Sequence, residues 1–239
     1  MKKIKNNQQG FSLLLTVLIL ASLMILTLTI SDVVLRVGKS AESIGNSEVA
    51  YFAAETAVER ALFQIEKNYS MADLTVSTPQ NMSTTNATWT RTVVQNNAFD
   101  VSCADLGNNE GLCINNPGII SASNPLIVKL NSGSSFQIDL RYSAMETPNN
   151  LKIEWSGGTA KVIGVNNDGV QTVSTTPGMD HEVEKNYRIV NTTAGSGLMV
   201  FELKPSATNL ATSITVTGIG NYKNSQRVLE VEKKVWQIY

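Results

Sequence analysis

The chain has 239 residues, of which 42% are hydrophobic and 16% are charged. That length supplies one medium-sized domain and an appendage. Lys and Arg total 19 against 20 Asp and Glu, so composition offers no bulk electrostatic attraction to nucleic acid, and no nucleic-acid partner is predicted.

The N-terminal segment predicts a membrane-spanning helix. Three lysines (Lys2, Lys3 and Lys5) precede an uncharged run from Phe11 to Ile30. At the helical rise this run spans roughly 30 Å, about the thickness of a bilayer's hydrocarbon core. The lysines before the span predict a cytoplasmic N-terminus and an exported C-terminal region.

Two other interpretations of the span compete with this one. A cleaved secretory signal has a shorter apolar region that ends in a small-x-small site, and residues 31–34 (SDVV) offer none, so a retained anchor is favoured. A plain uncleaved anchor of an unrelated exported protein stays open.

Helical periodicity continues beyond the span as an amphipathic stalk. Its apolar positions recur at spacings of three, four and seven residues: Val37, Ala41, Ile44, Tyr51, Ala54, Val58, Leu62 and Ile65. One helix from Phe11 to about residue 68 would be about 85 Å long. We expect the chain's own globular domain to cover the stripe, and we expect Gly38 and Gly45 to bend or loosen the helix.

Two segments resemble the type IV pilin family. Residues 8–16 (QQGFSLLLT) resemble a class III prepilin leader and cleavage site, with Gly10 ending the leader and Phe11 opening the mature chain. Residues 50–62 (AYFAAETAVERAL) resemble the second half of the helix in minor pilins of the PilX type. A looser resemblance extends to Gly218-Ile219-Gly220 before the final strand.

The resemblance implies a fold, a processing event and a set of partners. The fold class is α+β, with residues 1–10 as leader, residues 11–69 as transmembrane and stalk helix, and residues 70–239 as a β-rich antiparallel exported domain. A prepilin peptidase would cut after Gly10 and methylate the new amine of Phe11. The implied partners are other pilins or pseudopilins through the helix, the prepilin peptidase, the inner-membrane assembly platform, and the lipid bilayer before assembly.

One position departs from the family. Most members carry Glu at the fifth mature position, which is Leu15 here. The chain therefore lacks the acid on which that family role depends, and the departure points to a minor or tip position.

Beyond Met71 the helical pattern gives way to alternation with a period of two. Residues 135–142 and 151–155 predict half-buried strands, which we expect to be antiparallel neighbours. Asp168-Gly169 predicts a tight hairpin within residues 162–173. Further strands are predicted at residues 88–94, 99–103, 187–190, 199–203, 214–217 and 227–238. The number of predicted short strands and the polar turns between them are typical of a β-sandwich, or of a sheet wrapped on the helix.

Cys103 and Cys113 are the only cysteines. In an exported domain two cysteines usually form a disulfide, so we predict that they are joined. Between them lie oxygen-bearing side chains at Asp105, Asn108, Asn109 and Glu110. They lack the spacing of a known calcium loop, so a bound cation is a weaker interpretation than a polar disulfide-bridged loop.

The sequence carries no motif for catalysis. It has no nucleophile elbow, phosphate-binding glycine loop, paired-histidine zinc motif or dinucleotide fingerprint. The only histidine, His181, is predicted to be a solvated loop residue. We therefore expect a filament subunit without cofactors rather than an enzyme. The runner-up is a membrane-anchored surface adhesin or binding module that does not polymerise, and an exported enzyme comes third.

Overall fold

A computed structural model describes residues 8–68, 74–83, 85–140, 150–166, 169–182, 186–195, 197–206 and 209–239. Its first element is one 61-residue helix, α1 (Gln8–Asn68). The helix is continuous through Gly38 and Gly45, so the predicted loosening at these glycines is wrong. A glycine lowers helix propensity by only about 1 kcal/mol, which the flanking turns of a long helix offset.

The two halves of α1 have different surroundings. Residues 12–45 are exposed, and burial begins near residue 46. The buried face consists mainly of small residues: Ala50, Ala53, Ala54, Ala57, Val58, Ala61 and Ile65. The predicted stripe was therefore wrong at Val37, Ala41 and Ile44, which are exposed because they precede the part of the helix that the sheet covers. It was also wrong at Tyr51, which lies within the covered part but on its exposed side.

A four-stranded antiparallel sheet covers that buried face. Its strands are β1 (Val76–Asn81), β2 (Thr88–Asn96), β14 (Ser213–Tyr222) and β15 (Ser225–Lys234), in the order β1-β2-β14-β15. The two halves of the sheet are far apart in sequence, since β2 pairs with β14 with Thr92 opposite Thr217. We call this sheet the helix sheet.

The chain between β2 and β14 forms a second β structure with two five-stranded sheets. Their strands and the small elements beside them are β3 (Ala98–Phe99), α2 (Cys103–Leu106), β4 (Gly111–Ile114), β5 (Gly118–Ile119), β6 (Leu126–Leu130), β7 (Ser135–Asp139), β8 (Asn150–Ser156), β9 (Ala160–Val165), β10 (Gln171–Ser174), β11 (Met179–Glu182), β12 (Asn186–Asn191) and β13 (Met199–Pro205), with β16 (Trp236–Ile238) added from the C-terminus. The strand orders are β10-β9-β12-β7-β16 and β11-β8-β13-β6-β4.

Both five-stranded sheets contribute to one hydrophobic core, so together they form a sandwich. Phe136 and Ile189 come from one sheet, and Ile153 and Phe201 come from the other; all four are fully buried. The same core continues to Ile65 of α1. The fold is thus α+β, with one long N-terminal helix and a β-rich antiparallel region.

Several strand predictions are confirmed and several are wrong. The β9–β10 hairpin forms as predicted, with φ of +77° at Gly169. However, β7 and β8 are not neighbours, since β7 lies between β12 and β16 and β8 lies between β11 and β13. Alternation determines which residues face a core, but the pairing partner depends on the whole chain. The predicted strand at residues 99–103 is also wrong, because only Phe99 belongs to a strand, β3, and Cys103 begins α2.

Candidate functional site

The apolar half of α1 is long enough and apolar enough to cross a membrane, and none of its most apolar window is buried. Several of its hydroxyl side chains are satisfied within the helix. Thr16 and Ser22 each donate to a backbone carbonyl one turn earlier at 2.8 Å, and Thr27 does so at 2.9 Å. Because these hydroxyls leave no unsatisfied donor facing outward, they are compatible with a lipid environment.

The residues of the predicted processing site lie at the start of this helix. The backbones of Gly10 and Phe11 belong to α1, while residues 1–7 lie outside the described residues. The side chain of Leu15 is 50% exposed. The first acid after the span, Asp32, forms an ion pair with Arg36 at 2.8 Å.

Two glycines allow α1 to lie directly against β14. A Cβ atom added at Gly220 would lie 1.9 Å from the carbonyl oxygen of Ala50, and one added at Gly218 would lie 2.4 Å from that of Ala54. The helix backbone and the strand backbone are therefore in contact. Any larger side chain at either position would have to push the two elements apart.

Polar contacts along β15 and its turn hold the same helix. Lys223 contacts Glu42 at 3.2 Å, Arg227 donates to Ser47 at 2.6 Å, and Lys233 contacts Glu66 at 3.1 Å. These pairs extend from residue 42 to residue 66 of α1. Exposed pairs of this kind add little stability individually, but their positions define the orientation of the sheet along the helix.

A buried arginine of β2, Arg91, also contacts α1. Arg91 donates to the carbonyl of Leu74 at 2.5 Å and also to the side chain of Gln64, which joins β2 to α1. Its guanidinium lies 5.6 Å from the ring of Trp89, and Arg60 lies over the same ring. Burial, and then repulsion from Arg60, lowers the pKa of Arg91. Sequence reasoning missed this residue because a strand arginine normally points to solvent.

The predicted disulfide is confirmed, since Cys103 and Cys113 are bonded. The loop that it closes is attached to the sandwich through Glu110. The backbone N–H of Asn131 donates to one carboxylate oxygen at 3.1 Å, and its side-chain amide donates to the other at 3.0 Å. Glu110 is thus engaged by the protein, and Asp105, Asn108 and Asn109 are exposed. Among the described residues, no group of three His, Cys, Asp or Glu side chains is placed to hold a metal ion.

His181 is buried in β11, so its predicted position in a solvated loop is wrong. It pairs in register with Leu151, and its ring centroid lies 4.8 Å from that of Tyr187 in the other sheet. The short run around His181 has no clear alternation, which is why sequence reasoning did not assign it to a strand.

A charge network lies on the outer face of the sandwich. Glu154 contacts Lys152 at 2.6 Å and Lys204 at 2.5 Å, and Lys204 also contacts Glu202 at 2.7 Å. Hydrogen bonds first from Lys152 and then from Lys204 lower the pKa of Glu154 to about 2. The two carboxylates and two ammonium groups balance, so this face carries no net charge from the network.

Comparisons with known proteins do not identify the chain. No protein-family model matches it, and no curated protein matches it. Among solved structures, it is similar to the crystal structure of ectoine synthase from P. lautus, at 13% identity and a TM-score of 0.21. That match covers 54% of this chain and 70% of the other, and a TM-score so low carries no argument about fold or function.

Proposed function

We propose that the chain is a minor pilin or pseudopilin, a structural subunit or assembly-priming tip component of a type IV pilus-like filament or a type II secretion-like system. One observation carries the proposal. A single unbroken helix has a first half that is apolar and uncovered, and a second half that is held against an antiparallel sheet by small residues.

The uncovered half of α1 suits two environments in turn. In lipid, its Leu, Ile, Val and Met side chains contact acyl chains, and in a filament the same side chains would pack against neighbouring helices. The stalk also presents exposed aromatic residues away from the helix sheet. Phe52 and Phe63 are 49% and 62% exposed and lie on one helix face about three turns apart. Neighbouring subunits would cover these rings.

The close contact between α1 and β14 supports a role in force-bearing assembly. Because Gly218 and Gly220 bring the strand backbone against the helix backbone, helix and sheet would move together when the helix leaves the bilayer. Before assembly, the protein would be a single-pass inner-membrane protein with its N-terminus in the cytoplasm. The partners would be other pilins through α1, the prepilin peptidase and the assembly platform.

Leu15 supports placement at the tip rather than along the shaft. In the family that the sequence resembles, an acid at this position neutralises the N-terminal amine of the adjacent subunit. A buried charge without a partner costs several kcal/mol, so a subunit with Leu15 fits best where no neighbour needs that acid. Immunogold labelling of sheared filaments should then mark ends, and label along whole shafts would contradict the placement.

Mass spectrometry of the membrane-extracted protein tests the proposal directly. We expect a mature chain that begins at Phe11 with a methylated amine, and we expect Gly10→Val to leave the leader attached. A wild-type chain that retains Met1 in cells with an active prepilin peptidase would contradict the filament proposal.

A membrane-anchored binding module that does not polymerise is the second candidate. The observation that favours it is the sandwich, which is inserted between two strands of the helix sheet and is much larger than the sheet itself. An unprocessed N-terminus, together with label confined to membranes, would support this candidate.

A further inference from the structure

The side of the α1 stalk that faces away from the helix sheet carries charges that are sorted by sign. One flank, which we call the acidic flank, carries three acids: Glu48, Glu55 and Glu59. The opposite flank, which we call the basic flank, carries two bases: Arg60 and Lys67. At about 100° of helical rotation per residue, the exposed rings of Phe52 and Phe63 lie on a ridge between the two flanks.

The charges of the two flanks are not compensated along the helix. An acid and a base three or four residues apart can pair on a helix, as Asp32 and Arg36 do at 2.8 Å. No acid of the acidic flank has a base at these spacings. Glu55 and Glu59 are instead one turn apart, and like charges at that spacing are mildly destabilising. The sorting therefore does not stabilise the helix by itself.

The helix sheet does not compensate the flanks either. The two lysines of β15 and its turn that reach α1 pair with other acids, Glu42 and Glu66. On the basic flank, Arg60 lies 5.4 Å from the ring of Trp89 and repels the nearby Arg91. No described residue forms an ion pair with a member of either flank. Each flank therefore presents a net charge to a partner.

We propose that the acidic flank of one copy binds the basic flank of a second copy, with the ridge of Phe52 and Phe63 at the contact. This inference rests on the proposed function only in that the two copies share a bilayer. Their helices are then parallel, because both spans have the same orientation. Opposite charges face each other over about 29 Å, from residue 48 to residue 67. The two rings are covered at the contact, where aromatic residues are enriched in protein interfaces.

A second copy fits the basic flank better than a membrane surface does. Arg60 lies thirty residues beyond Ile30, the end of the uncharged run, which is about 45 Å along the helix. Salt screens the attraction to lipid headgroups over that distance. Because two different flanks meet, the contact is heterologous, and each pair of copies leaves one flank of either sign uncovered. Further subunits with the same sorting of charges can then add.

Charge reversal on each flank tests the pairing. Full chains that carry a donor or an acceptor fluorescent protein before the N-terminus are reconstituted together in phosphatidylcholine vesicles. Energy transfer is measured against the ratio of protein to lipid, and unlabelled chain serves as competitor. The acid-reversed variant combines Glu55→Lys with Glu59→Lys. The base-reversed variant combines Arg60→Glu with Lys67→Glu.

We expect energy transfer of the wild type to saturate and to be competed by unlabelled chain. Each reversed variant alone should need at least about ten-fold more protein per lipid for half-maximal transfer, because its two flanks carry like charges and repel. An equimolar mixture of the two reversed variants should restore the wild-type curve, because both flank pairings are again opposite in charge. Circular dichroism spectra that match the wild type show that the fold is intact.

The matched control combines Glu230→Lys with Glu232→Lys. It changes the net charge by the same amount as the acid-reversed variant, but these exposed acids lie on the face of the helix sheet opposite α1. The control should associate as the wild type does. An equal loss in the control would overturn the inference, because it would report net charge rather than flank pairing.

Three further results would overturn the inference. They are no saturable transfer in the wild type, reversed variants that associate as the wild type does, and a mixture that associates no better than either variant alone. Failure of the proposed function is distinguishable from these results, since it shows as a retained Met1 in cells with an active prepilin peptidase. A chain that is processed after Gly10 but gives any of the three results would lose only the flank contact.

Discussion

Replacing Gly220 by Ala tests the contact between the helix and the sheet. The added Cβ would lie 1.9 Å from the carbonyl oxygen of Ala50 and 2.5 Å from the backbone nitrogen of Ala54. A carbon to carbonyl-oxygen contact closes only to about 3.3 Å, so helix and strand would have to separate by about 1.4 Å. Both obstructing atoms belong to the helix backbone, so no side-chain rotation relieves the clash.

We expect Gly220→Ala to lower the free energy of unfolding by about 3 kcal/mol, near the upper end of the usual cost of overpacking. For a domain of this size that corresponds to a fall in Tm of roughly 6 to 12 °C. Urea unfolding of the full chain in detergent measures the change. The fluorescence of Trp89 reports on it, because this residue packs with Ala53 and Ala57 of the helix.

Gly45→Ala is the matched control for this substitution. A Cβ at Gly45 meets no atom within 4 Å, and the residue lies inside a helix, so alanine should stabilise the protein by about 0.5 to 1 kcal/mol. The same chemical change thus has opposite signs at the two glycines. A Gly220→Ala stability within about 0.5 kcal/mol of wild type, the usual range for neutral surface changes, would refute the close contact.

Ile65→Ala should cost about 2 to 5 kcal/mol in urea unfolding because Ile65 is fully buried. Leu62→Ala should cost clearly less, since Leu62 is only partly buried; equal losses would contradict this. The double variant Cys103→Ala, Cys113→Ala should lose about 2 to 3 kcal/mol, because the bond closes a short loop, and peptide mapping without reductant should detect the link in the wild type. The folded pKa of Glu154 lies at about 2, below its ordinary 4.5, so its ion pairs stabilise the protein above pH 4.5 and lose that effect as pH falls toward 2. Glu154→Gln should therefore make the urea concentration at the unfolding midpoint less dependent on pH between those two values. An unchanged pH dependence of the midpoint would count against the network.

Local side-chain patterns determined much of the secondary structure. The uncharged run and the periodic stalk predicted α1, because helical geometry places residues three and four apart on one face. Alternation predicted β7 and β8, because strand geometry turns every second residue toward the core. The predicted link between Cys103 and Cys113 followed from two cysteines in an exported domain.

Only the tertiary structure decided which elements meet. β2 and β14 are more than a hundred residues apart in sequence, yet they pair with Thr92 opposite Thr217, and no local pattern encodes a partner at that distance. The buried face of α1 is built mainly from alanines, with Val58 and Ile65 as the larger buried residues of the stripe, because Gly218 and Gly220 bring β14 close to the helix backbone at Ala50 and Ala54.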